Sequence, residues 1–150
     1  MTYSTKFSIE NNVATITLDQ ADKHNAFDDS IIAELRAHLK TIVETSSVRV
    51  MVIKAEGKHF CAGMDLANFQ DDGEMHGTNA KKVSQGRRSE AQFRVTRELQ
   101  YTISCLEKAR MPVIAAIQGA CIGGAVDLVT ACDIRYAAKD AFFCIQEINI

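Results

Sequence analysis

Between Val113 and Ala137 the chain passes from strand to helix and back to strand with few residues to spare. Residues 113–117 form a short apolar run, 124–132 carry the small and apolar residues of a packed helix, and 134–137 are extended again. Two strands that share a sheet and are joined through a helix must lie parallel, and such crossovers are right-handed. That requirement selects an α/β fold in which helices cover a largely parallel sheet.

The residues before this unit extend the pattern. Phe7 and Ile9, then Val13, Thr15 and Thr17 with Ala14, Ile16 and Leu18 on the alternate face, predict two strands joined as a hairpin at Asn11-Asn12. After a polar turn from Asp19 to Asn25, the residues Ile31, Ile32, Leu35, Leu39, Ile42 and Val43 recur at helical spacing. Asp28 or Asp29 is the N-cap. The β-branched run 48–54 predicts a buried strand, and the loop after it opens a short helix near Met64. Residues 70–86 are polar, carry Gly73, Gly77 and Gly86 and show no periodicity, so they read as a mobile surface loop. Phe93, Leu99, Ile103 and Leu106 belong to a long helix that stops before Pro112. Residues 142–148 read as a last extended segment. No repeat or linker divides the chain, and residues 1–150 are expected to form a single domain.

Composition narrows the function. A chain of 150 residues that is 47% hydrophobic suits one core. A net charge of −2 leaves no electrostatic footprint for nucleic acid or a membrane surface, and no apolar run reaches the length of a membrane helix. The first residues have the layout of neither a signal nor a transit peptide, which makes the cytoplasm the expected compartment. The five cysteines (Cys61, Cys105, Cys121, Cys132 and Cys144) lie among apolar neighbours without a CxxC pair and read as reduced core thiols. The histidines His24, His38, His59 and His76 show no ligand spacing, so no metal is expected.

Two carboxylates, Asp127 and Glu147, fall in tracts otherwise made of small and apolar residues. On their own, Asp127 reads equally as a capping carboxylate and Glu147 as an edge-strand charge facing water. Gly63-Met64 and Gly123-Gly124 each sit where a loop is expected to enter a helix, which leaves amides unpaired. Either pair is also compatible with a plain turn.

Three blocks bind these features together. HFCAGMDL (residues 59–66) and ACIGGAVDLVTACDIRYA (residues 120–137) resemble the signature blocks of the enoyl-CoA hydratase/isomerase (crotonase) superfamily, and KHNAF (residues 23–27) resembles its N-terminal block. Within it, CIGGAVDL, ACDIRYA and DAFFCIQEI look most like the Δ3,5-Δ2,4-dienoyl-CoA isomerases. The resemblance implies a crotonase-like ββα spiral core whose C-terminal part is missing from this chain. It also implies homotrimers or pairs of trimers. It assigns two oxyanion-hole amides to Met64 and Gly124 and two acid/base carboxylates, lining one cleft, to Asp127 and Glu147. Lys23, Ala62, Gly63, Asp65 and Leu66 match segments that hold coenzyme A, although Lys23 alone reads as a solvated turn residue and Asp65 as a cap.

What the resemblance implies chemically is a shift of double bonds in a 3,5-dienoyl-CoA to the 2,4-isomer through a dienolate. No cofactor is needed, since coenzyme A is part of the substrate. The alternative is a 2-enoyl-CoA hydratase, whose pattern has Glu where this chain has Asp127. Asp is shorter by one methylene, and errors near 1 Å cost about 100-fold in rate. A third reading, from another class, is a non-catalytic acyl-CoA-binding fragment. In the isomerases a further acid follows the Glu147 position by a few residues, which would place it beyond Ile150.

Overall fold

A computed structural model of the protein describes residues 3–65 and 84–146. Strands β1 (Thr5–Glu10) and β2 (Val13–Leu18) pair antiparallel through a two-residue turn. Asn11 and Asn12 have φ of 49° and 66°, the left-handed values a primed hairpin turn demands. A 3-10 turn (Ala21–Lys23) leads to helix α1 (Asp29–Glu44) and strand β3 (Val50–Ala55). Helix α2 (Gln85–Glu107) follows, then β4 (Val113–Ile117), β5 (Ala120–Ile122), α3 (Gly124–Thr130), β6 (Ile134–Ala137) and β7 (Phe142–Cys144).

Five strands form one sheet in the order β1-β2-β3-β4-β6, and β5 and β7 form a second. Every pairing except β1 with β2 is parallel. The register sets Ala14 beside Met51 and Ile16 beside Ile53, then Met51 beside Val113 and Ile53 beside Ala115. These side chains are all buried, so one continuous apolar surface crosses β2, β3 and β4. Helix α1 lays Ile31, Leu35, Leu39 and Ile42 onto the core. Burying a side chain of this size contributes about 1.5–3 kcal/mol.

The start of α1 is fixed by a polar cluster. Asp28 is the N-cap, its carboxylate accepting from the Ile31 N–H at 3.0 Å and from the Ser30 hydroxyl at 2.7 Å. Ser4 meets Ser30 at 2.6 Å, and Thr5 donates to Glu34 at 2.6 Å, tying β1 across the helix. Desolvation pushes the Asp28 carboxyl upward. The Ile31 amide, the Ser30 hydroxyl and the nearby Lys23 outweigh it and hold the group below its ordinary value.

The structure departs from the sequence reading in several places. The short helix expected near Met64 would, from Leu66 on, lie outside the described residues, and Met64 itself is extended. It lies in a parallel bridge with Phe27, and the backbone is not helical through Asp65. The loop expected over 70–86 falls, up to residue 83, outside the described residues, while Gln85 and Gly86 already belong to α2. A glycine is tolerated there because the first turn of a helix has few internal bonds to lose. Val43, read into the apolar stripe of α1, is exposed. The edge strand β6 is exposed along its whole length, and Phe142, Phe143 and Ile145 are exposed beside it.

Two outcomes follow from the packing and the charges. Asp28→Ala is expected to lower stability by about 1 kcal/mol at pH 7. A carboxyl depressed by folding contributes stability above its unfolded value and loses it as pH falls through the folded one. The difference between the two proteins in urea melts should therefore begin to shrink below about pH 4 and vanish only below the depressed folded value. Burial pushes the Cys61 and Cys132 thiols up to about 12 and the Cys121 thiol up to about 11. In native protein at pH 8 an alkylating reagent should modify the half-buried Cys105 and Cys144 first and spare the other three, all five reacting in urea. Peptide mass mapping reads the result.

Candidate active site

Three chain segments meet at one end of the sheet. The first, residues 24–27, leaves the 3-10 turn with His24 and Asn25 both at positive φ, 53° and 54°. The second, residues 59–65, runs between the first and β5. The Ala62 N–H donates to the His24 carbonyl at 3.0 Å, Phe27 N–H to Gly63 at 2.7 Å and Asp65 N–H to Phe27 at 3.0 Å. On its other side Cys61 bridges Cys121, with Cys61 N–H donating to Ala120 and Ile122 N–H to Cys61, both at 3.1 Å.

This arrangement aims the backbone of the second segment. Alternate amides of an extended strand point to opposite sides. With Gly63 and Asp65 bonded to Phe27, the Met64 N–H faces away from that neighbour. Gly63 has φ +90°, and a Cβ placed on it would lie 2.8 Å from the Ile122 carbonyl oxygen and 3.7 Å from the Gly123 Cα. A glycine is required at Gly63, since any side chain would push the two loops apart. The Gly63 N–H is itself held by the buried Cys61 sulfur at 3.4 Å.

The second loop leads into α3. Gly123 donates to the Cys144 carbonyl at 2.9 Å and accepts from Val126 at 2.7 Å. Gly124 is the first residue of the helix, where an amide has no intrahelical partner. Among the described residues, neither the Met64 nor the Gly124 N–H donates to a backbone carbonyl. Two loops that each present such an amide therefore touch through Gly63 and the Ile122–Gly123 peptide.

Ala62, Gly63, Met64, Asp65, Gly124 and Asp127 thus come to one region. Asp127 stands in the first turn of α3, one turn after Gly124, and is exposed. The helix turns Ala125, Leu128 and Val129 inward, and its periodicity sends Asp127 outward. Lys23 is exposed at 3.8 Å from Asp28, just before the segment that binds Ala62. Leu66 and Glu147 lie outside the described residues, so the cleft expected between Asp127 and Glu147 is not part of this geometry. Among the described residues no three His, Cys, Asp or Glu side chains gather as a metal site would need.

Sequence reasoning passed over Asn25 and His59. Asn25 is fully buried, accepts from Gln20 N–H at 2.8 Å and donates to the carbonyls of Glu56 at 2.9 Å and His59 at 3.0 Å. His59 accepts from the Ala120 N–H through Nδ1 at 3.1 Å. The one signal for Asn25 was its place in a polar turn directly before the wholly buried Phe27.

Comparison with known proteins places this geometry. Residues 8–150 match the family described as enoyl-CoA hydratase/isomerase. The chain is 37% identical over 141 residues to the peroxisomal Δ3,5-Δ2,4-dienoyl-CoA isomerase of Arabidopsis thaliana, covering 94% of this chain and 50% of that protein. It is 36% identical over 144 residues to the mitochondrial enzyme of that name from Homo sapiens, covering 95% of this chain and 42% of that protein. The crystal structure of an enoyl-CoA hydratase from Shewanella pealeana superposes with a TM-score of 0.83 at 32% identity, over 97% of this chain and 51% of that one. The protein belongs to the enoyl-CoA hydratase/isomerase family and has the crotonase fold. It spans about half the length of the curated relatives it matches.

Gly63→Ala tests the contact between the loops. The added methyl meets backbone at a positive φ, so a loss of at least about 1–2 kcal/mol is expected in urea melts. Gly86→Ala, at a position with nothing within 4 Å, is the control and should lose nothing.

Proposed function

We propose that the protein acts on acyl-CoA thioesters and isomerises a 3,5-dienoyl-CoA to its 2,4-isomer. The observation that carries this reading is the close approach of Gly63 to Gly123, which sets the Met64 and Gly124 amides on adjoining loops. A thioester releases a proton only if the charge arriving on its oxygen is held. Two preorganised N–H donors do that, and losing one costs about 2.7–4 kcal/mol. One carboxylate takes a proton beside the thioester, the dienolate forms with its oxygen on the two amides, and an acid returns a proton at the far end of the diene. Asp127 and Glu147 are our candidates for these transfers. A donor and an acceptor at one pH require environments that drive two such pKa values apart. Ala62, Gly63, Asp65, Leu66 and Lys23 would receive the coenzyme A portion. The chemistry calls for no nicotinamide, flavin or metal.

Hydration of a 2-enoyl-CoA is the competing reading, favoured by the likeness to a structure named as a hydratase. The carboxylate of Asp127 favours the isomerase, because a shorter side chain is poorly placed to share one water with a second acid. We further propose a homotrimer or a pair of trimers, and a cytoplasmic location.

Purified protein offered 3,5-dienoyl-CoA and 2-enoyl-CoA separately should convert the first faster. Asp127→Asn should lower that turnover by at least about 100-fold and leave affinity for the thioester within a few-fold. Faster hydration of the enoyl substrate would reverse the order of the two readings. Binding without turnover of either would favour the non-catalytic one.

A further inference from the structure

The pairing of segment 59–61 with β5 breaks its own rule at His59. Cys61 donates to Ala120 and accepts from Ile122, as a parallel ladder requires. One step back along a regular ladder, the Ala120 N–H would reach the carbonyl of His59. That carbonyl accepts from Asn25 Nδ2 at 3.0 Å and receives no bond from Ala120. The register has also slipped, with Phe60 N–H meeting Gln118 at 2.8 Å, where Gly119 turns through φ +56°. The Ala120 N–H goes instead to Nδ1 of the His59 ring, at 3.1 Å. An imidazole nitrogen accepts only when it carries no proton, so this bond requires a neutral ring with its hydrogen on Nε2.

Among the described residues the ring that faces it is His24, edge-on with ring centroids 5.3 Å apart. Lys58, the residue before it in the chain, is exposed. Ala120 stands four residues before Gly124, and its carbonyl holds Cys61, three residues before Met64. The bond therefore joins the two segments that carry the candidate oxyanion donors.

We propose that His59 is a positioning residue whose neutral imidazole takes the place its own carbonyl would have in a regular ladder, fastens β5 to segment 59–65, and releases it on protonation. Its consequence for catalysis rests on the acyl-CoA reading above, but the bond and its dependence on pH do not.

The test is residue-resolved amide hydrogen exchange on the 15N-labelled protein between about pH 8 and about pH 5, the interval in which an imidazole ordinarily takes up its proton. After correction for intrinsic rates, Ala120 protection should fall at least about tenfold across that range, while Ile53 in the centre of the sheet keeps its own. His59→Asn offers an acceptor at the same number of bonds and does not titrate, so it should restore protection and flatten the pH profile. His59→Leu should lose the protection at both ends. In the unaltered protein at pH 8, the ring 15N shifts should report a bare Nδ1 and a protonated Nε2, a measurement that needs no variant. A hydrogen on Nδ1, a flat Ala120 profile in the unaltered protein, or an equal slope in His59→Asn would each overturn the proposal. None of these readouts involves turnover, so failure of the reaction assay and failure of this proposal are separate events.

Discussion

A single buried amide decides where the functional end of this fold comes together. Asn25 has no exposed surface, and its side chain satisfies the Gln20 amide and two carbonyls of the loop 56–59. Each of those groups, left unpaired inside the protein, would cost about 1–3 kcal/mol. Only a side chain with both a carbonyl and an NH2 can serve all three, and only from the left-handed backbone it adopts. Once Asn25 is seated, His24 and Phe27 are held where they take Ala62, Gly63 and Asp65 as strand partners. The aim of the Met64 amide is thus set by a residue that never faces it.

Much of this was legible in the chain. Asn11-Asn12 between alternating residues specifies a hairpin because few other residues tolerate two positive φ values in succession. The apolar spacing of α1 and the placement of Asp28 before it are local signals, and both appear in the structure. The strand, helix and strand from β4 to β6 were legible for the same reason, and β4 and β6 do pair in parallel. Sheet order was not, because β5 leaves the main sheet to pair with β7 and with Cys61, and nothing local distinguishes it from its neighbours. The extended backbone at Met64 has a cause of the same kind. Two hydrogen bonds to Phe27, far away in sequence, hold that backbone extended.

The candidate positions divide along the same line. Gly63, Met64 and Gly124 were found through motif, and the structure supplies the reason for a glycine at Gly63 in the approach of one loop to another. Asp127 was found through motif too, but its apolar neighbours in sequence suggested more burial than the helix gives it. Small residues flanking an acid report the face opposite to the acid as readily as its own. Asn25 and His59 carried no local signal at all, because a polar side chain becomes structural only through the partners that a distant segment brings.

The parallel sheet has one more consequence, for the order in which the molecule can acquire these features. Only the β1–β2 hairpin closes a short loop, and every other pairing joins strands separated by a helix or more, as when Val13 meets Val50 or Met51 meets Val113. Loop closure costs entropy before the contact returns anything, and chains dominated by distant pairings fold slowly. The meeting of segments 24–27, 59–65 and 120–124 lies at the far end of that sequence of closures. These segments can meet only after nearly every other strand is in place, so a nascent chain presents its apolar strands to solvent well before it brings them together.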